Sequence, residues 1–153
     1  MQLAKIGLVG IASILAVSAA SNQDSTVAIG GAGASPYFEQ AVDKIADGLK
    51  ASGVKVKVLP GDARARTALL DDATTRGYAS LLYVTLQSPR DSQSNPSRGE
   101  IVGACFVGGK QVWEEKSKGP LVLPLGKEHE VDSMVSGLVK KINKRAGGPC
   151  LPK

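Results

Sequence analysis

The sequence predicts a mixed α/β domain, read in the order β-α-β-α-β-β-β-α, with a mixed sheet of about five strands packed with three helices. Three observations lead there. Between Ser25 and Leu86, short apolar runs alternate with helical stripes, the pattern of β-α-β units with parallel pairing. Gly108-Gly109 separates two extended runs, the mark of an antiparallel hairpin. A long amphipathic stripe closes the chain.

Residues 1–20 precede that domain and follow the plan of a secretory signal peptide. Lys5 supplies the positive charge, Ile6 to Val17 the apolar run, and Ser18-Ala19-Ala20 the small residues before cleavage, expected after Ala19 or Ala20. The alternative is an N-terminal membrane anchor, but the apolar run is short against the roughly 20 residues that a helix needs to cross a bilayer. No cysteine follows the run, so neither a lipid-modified terminus nor a stable membrane anchor after cleavage is expected. Residues 21–25 read as a disordered lead-in and 26–153 as a single α/β domain, secreted or periplasmic.

The chain carries a formal charge of +5, from which loss of Lys5 with the leader subtracts one. So mild an excess, without a dense basic patch in sequence, argues against nucleic acid as partner. Aromatic residues make up only 4%, so the core must be built from Val, Leu, Ile and Ala. Two cysteines, Cys105 and Cys150, allow one intramolecular disulfide in an oxidising compartment. In the chain-entropy model, closing the loop between them contributes about 4 kcal/mol. Two unpaired thiols are the alternative.

The elements follow in order. An apolar strand runs from Ser25 into a glycine-rich turn at Gly30 to Ser35. Phe38, Ala41, Val42, Ile45, Ala46 and Leu49 then recur at helical spacing, with Ser35 placed to cap and Pro36 at the first helical position. The helix stops at Gly53, and Val54 to Leu59 alternates apolar with charged residues, predicting a strand near the sheet edge. Pro60-Gly61-Asp62 turns the chain, and Asp62 is placed to cap a thinner second helix carrying Ala65, Ala68, Leu69 and Ala73. Ala79 to Leu86 (ASLLYVTL) is nearly all apolar, as in a central strand covered on both faces. The polar stretch 87–98 is a connection, and Asn95-Pro96-Ser97 is no glycosylation acceptor because proline holds the middle position. Glu100 to Val107 and Gln111 to Lys118 form the hairpin strands. Val131, Met134, Val135, Leu138, Val139 and Ile142 then stripe the last helix, which ends among Lys140, Lys141, Lys144 and Arg145. Which face of the sheet each helix covers does not follow from this pattern.

The succession ASLLYVTL, a strand pair containing GGKQVWEEKSKG, and the closing helix EVDSMVSGLVKKINK resembles the small α/β domains of bacterial envelope proteins. Among these are the periplasmic domain of the curli-secretion channel and the outer-membrane activators of penicillin-binding proteins. The resemblance spans residues 77–145 and implies an envelope location and an accessory, binding role. It carries no catalytic motif, and the chain departs from the lipoproteins of that group in lacking an anchor cysteine.

Three features are candidates for chemistry. The stretch GGAGAS, residues 30–35, starts like a dinucleotide fingerprint, but Pro36 stands where the third glycine belongs. Asp62 follows 29 positions after Gly33 rather than about 20, and no Gly-Lys-Ser/Thr P-loop occurs nearby. A strand-to-helix turn of small residues accounts for it, with anion binding by Gly31, Gly33 and Ser35 as the alternative. His129, the sole histidine, lies between Glu128 and Glu130, with Ser133 one helical turn on. An acidic first turn favoured by the helix dipole explains these carboxylates without catalysis, and no G-x-S-x-G elbow is present. Trp113, with Lys110 and Lys116 close in sequence, fits a groove for a glycan or peptide, or a tryptophan buried at the sheet edge.

The sequence therefore points to an exported binding or accessory domain without catalytic residues, cofactor or metal, whose partner is an envelope protein or polymer. A small secreted hydrolase using His129 and a nucleotide- or anion-binding module using Gly30 to Gly33 are the alternatives.

Overall fold

The computed structural model describes residues 24–33, 37–60, 65–87, 99–119 and 128–153. The element order is β1 (Asp24–Gly33), α1 (Phe38–Ala51), β2 (Val56–Val58), α2 (Arg66–Thr75), β3 (Tyr78–Gln87), β4 (Glu100–Val107), β5 (Lys110–Lys118) and α3 (Glu128–Asn143). The strands form one five-stranded sheet in the order β2-β1-β3-β4-β5. β1 pairs in parallel with both β2 and β3, while β3–β4 and β4–β5 are antiparallel. The mixed sheet, its three helices and their order are those the sequence predicts.

The two crossovers from β1 to β2 and from β2 to β3 step in opposite directions across the sheet. Right-handed connections therefore place their helices on opposite faces. α1 and α3 lie together on one face, where Ile45, Leu49, Met134, Leu138 and Ile142 bury against Val27, Ile29, Leu82, Val84 and Ile101. On the other face α2 covers a smaller cluster of Leu69 and Ala73 against Ala28, Leu81, Ala104 and Phe106. Its stripe is thin, as expected, but Ala65 is exposed and contributes nothing to it. Arg66 lies over the Phe106 ring, 5.5 Å from its centroid. β3, hydrogen-bonded on both sides and packed on both faces, is the central apolar strand.

The glycine-rich stretch departs from expectation. Gly30 to Gly33 are strand residues paired with Tyr83 to Leu86, and not a turn. Their smallness has a packing cause. A Cβ on Gly31 would strike the Val84 carbonyl of the neighbouring strand, and one on Gly33 would enter the Phe38 ring. α1 is N-capped by Tyr37 without a side-chain hydrogen bond, and α2 by Ala65 in the same way. The expected caps Ser35 and Asp62, and Pro36, lie outside the described residues. β2 is shorter than its alternating pattern predicts, though Val54 and Leu59 beside it are buried. The β4–β5 turn uses Gly108 and Gly109 at φ 55° and 77°, values open to glycine. Among the described residues, no helix is long and apolar enough to cross a membrane.

The Cys105–Cys150 disulfide is formed. It joins the middle of β4 to the tail after α3, and Leu151 beside it is fully buried. The buried Ser80 hydroxyl donates to the Cys150 carbonyl at 2.5 Å, so the tail is held by β3 as well as by β4. Replacing both cysteines by alanine is expected to lower stability by about 2–5 kcal/mol, read as a reduced urea midpoint, with helix and strand signals retained in the absence of denaturant.

Candidate functional site

β5 gathers the candidate binding residues on an edge of the sheet. It pairs only with β4 and, among the described residues, its other side has no strand partner. The register shifts between Cys105 and Phe106, because Trp113 opposes Cys105 while Gln111 opposes Phe106, leaving Val112 as an extra, bulged residue. Val112 is the one exposed large hydrophobic side chain among the described residues, at 46%.

Residues directly paired across strands share a face. Trp113 therefore sits on the α1/α3 face with Cys105, where it packs half-buried against the main core. Lys116 opposes Val102, and Glu114 opposes Ala104 of the α2-side cluster, so both lie on the other face. There the Lys116 ammonium meets the Glu114 carboxylate at 2.9 Å, and that hydrogen bond raises the lysine above its usual pKa. Lys110 opposes Val107, which packs toward the main core, so beyond the bulge it is on the Trp113 face but at the hairpin end. The three residues thus share one strand without converging on one groove.

Gly31 and Gly33 are in β1, and Ser35 lies outside the described residues. A hollow of about 160 Å³ opens beside Gly30 and Gly31, bounded by Phe38, Val42, Val58 and Leu59. Glu39 and Asp43 also line it, so a phosphate there would face two carboxylates and, among the described residues, no cation. His129 falls in the first turn of α3. Ser133 is exposed, and Asp132 is engaged by Lys44 of α1. No group of three metal-ligating side chains occurs among the described residues.

Two features escaped the sequence. A groove of about 570 Å³ runs between α1 and α3, lined by Lys44, Asp132, Val135, Ser136, Val139 and Asn143. The Asn143 Oδ1 is buried and, among the described residues, has no hydrogen-bond partner. A second hollow, of about 370 Å³, lies between β5 and the end of α3, where Arg145 Nε and Nη2 donate to Glu115 at 3.0 and 2.7 Å. Lys141 donates to the Lys116 carbonyl, and Lys144 lines the same hollow. Lysines near a helix C-terminus are legible in sequence, but their meeting with β5 depends on how α3 packs.

No protein-family model matches the chain. No curated protein matches it either. Among solved structures it is similar to the PelC dodecamer from Paraburkholderia phytofirmans, with 16% identity and a TM-score of 0.52 over 85% of this chain and 89% of that one. A single-substitution variant of the same dodecamer aligns with 15% identity and a TM-score of 0.50, over 86% of this chain and 91% of that one. At these identities the likeness is one of fold, and neither structure is a curli-secretion or penicillin-binding-protein activator domain.

The opposed placement of Trp113 and Lys116 predicts different outcomes on truncation. Trp113→Ala removes packing beside the disulfide and is expected to cost about 1–3 kcal/mol, whereas Lys116→Ala changes stability by less than about 0.5 kcal/mol. Urea titration of the two variants checks this, and equal losses would contradict the assignment of faces.

Proposed function

We propose that this chain is an exported envelope domain that works by binding another envelope component, protein or polymer, and performs no chemistry of its own. The observation that carries the reading is β5: a nine-residue edge strand with no strand partner on its outer side among the described residues, where only the Lys116 carbonyl is met by a side chain, Lys141, and with Val112 exposed upon it. Free strand edges present unpaired backbone donors and acceptors, and extended partners bind by adding a strand to them. The bulge and the lysines limit indiscriminate pairing, so that a partner must match this edge. The similarity in fold to PelC, which assembles as a dodecamer, supports a role in contacts between chains. The resemblance of the β3-to-α3 pattern to envelope accessory domains supports the location, as do the signal-peptide pattern of residues 1–20 and the disulfide.

Affinity capture from the native envelope tests the proposal. Val112→Asp, at an exposed position, leaves the fold intact and is expected to reduce capture about tenfold, as loss of an interface anchor does. His129→Ala is expected to capture as well as the unaltered chain and to keep its biological activity. A folded His129→Ala protein that loses activity would overturn the binding reading in favour of catalysis at the start of α3.

A further inference from the structure

The strands and helices divide the molecule's charge between its two ends. β1, β2, β3 and β5 all begin at one end of the sheet, and β4 runs back to it, so the Gly108-Gly109 hairpin lies there too. The three helices return against β1, β2 and β5, which brings all three C-termini to that same end. Exposed there are Lys55 before β2, Lys110 at the hairpin, Lys140 and Lys141 in the last turn of α3, and Lys144 beyond it. None of the five forms a salt bridge among the described residues. Asp47, Asp72 and Glu115, the carboxylates that approach this region, are each in an ion pair with Lys50, Arg76 and Arg145. Asp71 remains as a counter-charge. The opposite end holds the helix N-termini with Glu39 and Asp43 of α1 and Glu128, Glu130 and Asp132 of α3, and two exposed cations, Arg66 at the start of α2 and Lys118 at the end of β5.

Helix dipoles account for part of this, since each C-terminus carries about half a negative charge. They do not account for Lys55, just before β2, or Lys110, at the start of β5, and three half charges leave the lysines in excess. We propose that this basic end docks reversibly on an anionic lipid surface, a contact separate from the partner assigned to the β5 edge. The cations come from several elements and spread across one end of the domain, an arrangement that fits a plane of headgroup phosphates. A glycan that stacks its rings on the protein would use an exposed aromatic, and Trp113 is instead half-buried against the core. The hollow at Lys141, Lys144 and Arg145 offers a seat for one headgroup, its single carboxylate Glu115 being occupied by Arg145.

Flotation of the full exported chain with phosphatidylcholine vesicles, with and without phosphatidylglycerol, tests the proposal. Binding is expected only with the anionic lipid and to weaken as salt is raised. Each lysine near such a surface strengthens binding about fivefold, so Lys140→Gln with Lys144→Gln is expected to weaken it about twenty-five-fold. The pair Arg66→Gln with Lys118→Gln removes the same charge at the opposite end and is expected to change binding less than about twofold. All four side chains are exposed, and circular dichroism verifies that both variants fold. Absence of binding to phosphatidylglycerol vesicles, or equal losses in the two pairs, overturns the proposal. Capture by soluble alginate without vesicle binding overturns it in favour of an acidic glycan.

Discussion

The close parallel pairing of β1 with β3 is the constraint on which the rest of the structure depends. β1 carries Gly30, Gly31 and Gly33 through its second half, and the Val84 carbonyl and the Phe38 ring occupy the space that side chains at Gly31 and Gly33 would need. With β1 seated against β3, the connections through α1 and α2 pass on opposite faces, and a core forms on each side. β4 and β5 then extend the sheet by hairpin pairing, which needs only a short turn. α3 closes the larger face, and the Cys105–Cys150 disulfide fixes the tail behind it.

That arrangement decides which surfaces are left for the proposed contacts. Side chains on the α1/α3 face are consumed by packing, Trp113 among them. Of the two sheet edges, β2 has three residues and β5 has nine, so β5 offers the longer run of backbone for a partner. The ends of the molecule differ in charge because α1 and α3 return in the same direction, acidic residues standing at their N-termini and lysines at their C-termini, each favoured by the helix dipole, while α2 carries neither. The edge and the basic end to which the two proposals assign partners are therefore products of the same topology.

Much of this was legible in the sequence. β4 begins and ends at Glu100 and Val107 as the apolar run and the glycine pair indicate, and β3 extends the predicted Ala79–Leu86 by one residue at each end. Uninterrupted apolar runs bounded by turn residues leave little freedom in placing a central strand. The glycine stretch misled because glycine carries no side-chain periodicity, and its role in β1 depends on neighbours distant in sequence, Val84 and Phe38. Helix faces were hidden because a stripe shows that a helix is buried, while the side it takes follows from strand order. For the candidate site, the spacing of three between Trp113 and Lys116 already implies opposite faces in a strand. The same spacing between Lys110 and Trp113 implies the same, and there the bulge at Val112 reverses the result. A bulge leaves no reliable mark in one sequence, and neither does the gathering of lysines from separate elements at one end.

The central claim is a rigid parallel scaffold bearing an edge strand open to partners, and native-state hydrogen exchange of the isolated exported protein tests it most directly. Amides of Val27 to Gly31 and Leu81 to Thr85 are expected to exchange only through global unfolding. In β5, amides directed at β4 are expected to be protected and those directed away from it to exchange rapidly, becoming protected when the captured partner is added. Protection of every β5 amide in the protein alone, or rapid exchange in β1 and β3, would contradict the account.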